Sequence, residues 1–84
     1  MLMKTEKLLQ AFPLGMAGEG ARVRIVGIMA GKNLVKRLLA MGMSEDTEVR
    51  VLQRQKGNGM VVACGETRLA LGMGMAHKIM VVPV

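Results

Sequence analysis

Residues 22–43 read RVRIVGIMAGKNLVKRLLAMGM, and this stretch changes its hydrophobic period halfway along. In the first half Val23 and Ile25 alternate with Arg22 and Arg24, the pattern of a half-buried strand. In the second half Leu34, Val35, Leu38, Leu39 and Met41 share one side of a helix, while Asn33, Lys36, Arg37 and Ala40 share the other. Gly42 stands where a helix needs a left-handed terminating residue, a conformation glycine adopts without steric cost. The stretch thus predicts a strand feeding one short amphipathic helix over about residues 31–41.

Outward from this centre the chain reads as further short strands. Thr47 to Gln55 alternates, with Val49 and Val51 on one face and Glu48, Arg50 and Arg54 on the other. Lys56-Gly57-Asn58-Gly59 contains Asn-Gly, a strong hairpin signal because both residues tolerate positive φ. Met60 to Cys64 forms a third strand, Gly65-Glu66 turns it, and Thr67 to Leu71 forms a fourth with Leu69 and Leu71 inward. Gly72 to Ala76 is a turn or a single helical turn, and Ile79 to Val82 closes the set. Upstream, Phe12-Pro13-Leu14-Gly15 reads as a turn, Gly18-Glu19-Gly20 as a tight approach to the first strand, and residues 1–12 as a lead-in. Five short strands with one inserted helix suggest a mainly β, strongly bent barrel that leaves few exposed sheet edges.

Composition sets the outer bounds. Eighty-four residues make one domain with a modest core, and 51% hydrophobic residues argue against disorder. No apolar run reaches the roughly 18–20 residues of a membrane span. The first residues faintly resemble a signal peptide, but Glu6 lies among the lysines, and Gln10 and Pro13 break the apolar region. The single cysteine, Cys64, forms no internal disulfide and suits a reducing cytoplasm. Twelve Lys and Arg against six Asp and Glu give a net charge of +6 and favour acidic partners, although the bases are scattered.

The residues offer little chemistry of their own. Cys64 and His77, thirteen positions apart, are the single cysteine and the single histidine, with no evident third member for a catalytic arrangement. Gly27 to Asn33 lies where a phosphate loop would lie, but three residues instead of four separate its glycines and Asn33 replaces the Ser or Thr that binds magnesium. Nucleic-acid binding, the main rival, needs stacking aromatics or a helix rich in bases. Phe12 is the sole aromatic, and the helix carries only Lys32, Lys36 and Arg37. Ten methionines read as gap-fillers in a core nearly devoid of aromatics.

Specific residues resemble a known family. Pro13-Leu14, Gly20, Val23-x-Ile25-x-Gly27, Arg37-Leu38-x-x-Met41-Gly42-Met43, Val49-x-Val51, Gly65, Leu69-Ala70-Leu71, Ala76 and Ile79-x-Val81 are similar to the FeoA family, across residues 13–84. Two places depart from its pattern: Ser44-Glu45 stands where Pro-Gly is usual, and Gly72 replaces a frequent basic residue. The resemblance implies an SH3-like β-barrel, a cytoplasmic accessory protein of bacterial ferrous iron uptake that binds the membrane GTPase FeoB. It puts Arg37, Met41, Met43 and Arg68 on the contact surface, with Met43 alternatively packed under the barrel and Arg37 alternatively solvated. It implies no cofactor. Transition-metal binding enters through the family's name, with Cys64 and His77 as first candidates, although their spacing matches no metal motif. The related domain on metal-dependent repressors keeps a metal-responsive regulatory role open, and a Met-rich face permits self-association.

Overall fold

The computed structural model describes residues 10–84. The expected lead-in falls almost wholly on residues 1–9, outside the described residues. In chain order the elements are β1 (Phe12–Pro13), a 3-10 turn (Leu14–Met16), β2 (Arg22–Ile28), α1 (Lys32–Ala40), β3 (Glu48–Gln55), β4 (Gly59–Cys64), β5 (Thr67–Gly72), α2 (Met73–Ala76) and β6 (Ile79–Pro83). All pairings are antiparallel, in the order β1-β6-β2-β3-β4-β5. The five expected strands and the inserted helix are present as an SH3-like bent barrel. The sixth strand is β1, read from the sequence as part of a turn. Phe12 and Pro13 instead pair with Val81 and Met80. Proline, which lacks an N–H, is tolerated there because the strand lies at the edge.

The strands close over a wholly apolar interior. Val23, Ile25, Val49, Val51, Met60, Val62, Ile79 and Val81 all lie at 2% exposure or less, and no polar or charged side chain among the described residues is buried. The two terminal strands, β1 and β5, do not pair with each other. The 3-10 turn and α2 pack together across that seam, α2 resting on β4 and β5. Closure is therefore made by side chains, and the outer edge of β5 keeps its backbone groups free of a partner strand among the described residues.

Nine residues make a helix that is marginal by itself, and α1 has no acidic residue in its first turn and no side-chain cap. Its C-terminus supplies the order. The Gly42 N–H donates to the Leu39 carbonyl at 3.0 Å and the Met43 N–H to the Leu38 carbonyl at 2.9 Å, with Gly42 at φ +86°. This is a Schellman ending, completed by an apolar contact between the third residue from the helix end and the second beyond its cap. Those two residues, Leu38 and Met43, are both fully buried. The inner face is narrower than the sequence pattern implied. Leu34, Val35 and Met41 are half-buried and Leu39 is 51% exposed, because the small sheet covers little beyond the line through Leu38.

Two further details differ from the sequence reading. In the β3–β4 hairpin positive φ falls on Gly57 and Gly59, not on Asn58. In β3 the register shifts between Val51 and Gln53, so that Leu52 is an extra residue. Beyond this bulge the faces exchange. Arg54 sits opposite the fully buried Met60, not on the outer face with Arg50.

Candidate functional site

The four residues assigned to a contact surface separate into three environments. Arg37 is exposed in the last turn of α1, and Met41 is half-buried against the core just beyond it. Met43 is fully buried and has no surface to offer a partner, the core placement that its alternative reading described. Arg68 is exposed on β5.

Cys64 and His77 are not brought together. Cys64 ends β4 opposite Thr67, whereas Gly59, at the other end of β4, pairs with Gly72, the residue leading into α2. His77 caps the C-terminus of α2, so the length of β4, about 16 Å over five residues, lies between the two neighbourhoods. Among the described residues no group of three or more His, Cys, Asp and Glu side chains could hold a metal ion. The Cys64 thiol is buried and donates to the Gly42 carbonyl at 3.2 Å, tying β4 to the end of α1. Burial pushes its pKa up, so the thiol is held as a neutral packing group rather than a thiolate. The His77 ring covers Gly15 so closely that a Cβ there would lie 2.9 Å from Nδ1 and Cε1.

Arg68 belongs to a larger feature. The register places Arg22 of β2 beside Arg50 of β3, Arg50 beside Ala63 of β4, and Ala63 beside Arg68 of β5. The row crosses four strands on the outer face. It lines a cleft of about 580 Å³ together with Glu48, Leu52, Gly65 and Glu66. Arg22 is occupied, since its Nε and Nη2 both donate to Glu48 Oε2, at 3.0 and 2.7 Å. Arg50 and Arg68 make no side-chain hydrogen bond or ion pair among the described residues. Sequence reasoning singled out Arg68 and missed Arg50. A two-residue turn at Gly65-Glu66 already implies Ala63 opposite Arg68, but the bulge at Leu52 hides the match of Arg50 to Ala63.

A barrel with an apolar interior, and with its charged groups on its skin, defines a small SH3-like module. The FeoA domain family model matches residues 12–83. A Methanocaldococcus jannaschii protein assigned the name Fe(2+) transport protein A is 34% identical over 70 residues, covering 83% of this chain and 84% of that one. The chain belongs to the FeoA family. Among solved structures it is similar to the crystal structure of an iron uptake regulatory protein, FeoA, with a TM-score of 0.83, 28% identity, and coverage of 88% of this chain and 99% of the other. It is also similar to a manganese-dependent transcriptional repressor, with a TM-score of 0.81 and 26% identity, over 88% of this chain and 42% of the repressor.

Proposed function

We propose that this chain is a cytoplasmic accessory protein of ferrous iron uptake that works by binding the cytosolic part of a FeoB-type membrane GTPase. One observation carries the reading. Among the described residues the buried side chains are all apolar, so that binding by this FeoA-family chain falls to its exterior. That exterior offers both kinds of contact a protein partner uses. Met16, Met29 and Leu39 are apolar side chains at 67%, 70% and 51% exposure, and the arginines of the outer face supply charge. The reading assigns the chain no catalytic step and no nucleotide of its own; GTP belongs to the partner. No helix among the described residues is long and apolar enough to cross a membrane, so attachment to the membrane would come through that partner.

The test is retention of the cytosolic part of the FeoB-type GTPase from the same genome on the immobilised chain, in nucleotide-free, GDP-bound and GTP-analogue states. Retention in any state supports the reading. Absence of retention in all three, together with firm RNA binding that falls steeply with salt, overturns it in favour of a nucleic-acid module. The likeness to the manganese-dependent repressor favours a second reading, a module that serves a metal-responsive regulator. Capture of a DNA-binding protein in place of the GTPase would select it.

A further inference from the structure

Arg50 and Arg68 flank the same residue, Ala63, from either side. Two interstrand spacings put their Cα atoms about 10 Å apart, within reach of a common point for two long side chains. Ala63 and Gly65 leave the floor between them bare of long side chains, which is why a cleft exists there at all. A carboxylate is planar and accepts two parallel N–H donors from a guanidinium, so two unpaired arginines facing one gap form a clamp for it. Glu48 and Glu66 also line the cleft, leaving its three guanidiniums with a single positive charge in excess. That balance suits one carboxylate. It works against a phosphate, which brings nearly two charges, and against the closely spaced charges of a nucleic acid.

A second observation points to the form of the ligand. β5, which carries Arg68, is the last strand of the sheet, and its outer edge pairs with no strand among the described residues. An extended segment added there would satisfy those backbone groups and turn alternate side chains onto the outer face, beside Arg68.

We infer that this corner of the barrel docks an extended acidic segment of a protein partner, pairing with the edge of β5 and bringing a carboxylate to Arg68, where the long side chain of Arg50 reaches it across Ala63. The inference rests on the protein-binding reading above, and the two fail separately. The probe is a capped octapeptide of alternating Val and Glu, titrated into the isotopically labelled full chain and followed by amide NMR. Matched peptides with Gln or Lys in place of Glu serve as controls. Saturable shifts confined to residues 48–52 and 63–72, with the Glu peptide at least tenfold tighter than the Gln peptide, are expected. Arg50→Glu with Arg68→Glu, checked for folding by its own spectrum, should lose the Glu peptide and acquire the Lys peptide. The milder pair Arg50→Gln and Arg68→Gln should weaken the Glu peptide without gaining the other. Equal binding of Glu and Gln peptides, shifts elsewhere, or unchanged affinity in the charge-reversed chain would overturn the inference. So would binding to phosphatidylglycerol vesicles alone, which would identify the cleft as a lipid site. GTPase retention that survives charge reversal sinks the cleft and leaves the partner standing; peptide recognition without GTPase retention does the reverse.

Discussion

The guanidinium of Arg54 donates from Nη1 to the carbonyl of Gly15 at 2.6 Å, across thirty-nine residues of chain. The same nitrogen donates to the Ala17 carbonyl at 2.8 Å, and the Arg54 backbone N–H donates to Glu19 Oε2 at 2.8 Å. One residue of β3 thus fastens the whole approach to β2. The 3-10 turn it fastens is the piece that fills the seam between the sheet's two ends, so a polar contact at the barrel's mouth supports the apolar closure beneath it. Arg54→Ala should cost about 1.5–3 kcal/mol, the range for hydrogen bonds to a charged group. Arg54→Lys should recover only part of this, since an ammonium does not reproduce the guanidinium's fork. Thermal melts give the cost, and faster amide exchange over residues 14–20 in Arg54→Ala would locate it.

The position of Arg54 also marks the limit of what the sequence discloses. The helix and five of the six strands follow from period and from glycines and appear where those signals place them, whereas β1 reads from the sequence as part of a turn. Strict alternation from Val49, however, sends Arg54 outward with Arg50. The extra residue at Leu52 turns it to the other face, opposite Met60. Bulges carry no compositional mark in EVRVLQRQ, because Leu52 suits a regular strand as well as a bulge. The arginine row is hidden for the same reason. The Gly65-Glu66 turn alone sets Arg68 beside Ala63, but Arg50 joins them only once that one-residue shift is known. Met43 was legible in the opposite sense, since a methionine directly after a glycine helix stop has a physical reason to turn back into the core.

Gly59 is a position where steric contact decides. A Cβ built there would collide with the Leu71 carbonyl oxygen of β5, a backbone atom that can move only with its strand. Gly59→Ala should therefore force β4 and β5 apart at the end nearest α2. A loss of more than about 3 kcal/mol is expected, beyond the usual range for single substitutions. Urea denaturation should show the midpoint collapse. A change below about 1 kcal/mol would mean that this close approach is absent in solution.

Cys64 predicts a pH dependence. Burial raises its pKa in the folded chain, so the folded state holds the thiol proton more tightly than the unfolded state does. That contribution is whole below the unfolded thiol value of about 8.5 and is lost as pH rises through the higher folded value, so stability falls across that window. Cys64→Ala lacks the term. The difference in Tm between the parent and Cys64→Ala should hold steady from pH 6 to 8 and shift against the parent towards pH 10. Alkylation of the parent by iodoacetamide at pH 7.5 should be slow until denaturant is added.

Leu38 tests the arrangement on which the barrel depends. It is the one fully buried residue of α1, and its carbonyl receives the Met43 N–H that ends the helix. Leu38→Asp would put a carboxylate among Met43 and the β-strand valines with no cation or donor to receive it, and a buried unpaired charge is among the costliest changes a core can suffer. A domain of this kind has only about 5–15 kcal/mol of stability in total, so the variant should show no cooperative melting transition. Leu38→Ala, which removes volume without adding charge, should cost about 2–5 kcal/mol and still melt cooperatively. Gly42→Ala separates the helix ending from the packing. A Cβ there meets only Cys64 Sγ at 3.9 Å, an ordinary contact, so its cost of about 1–2 kcal/mol would come from the left-handed backbone alone. If Leu38→Asp kept the parent's Tm, α1 would have to face the barrel with some other side, and the placement of Arg37 on the outside would fall with it.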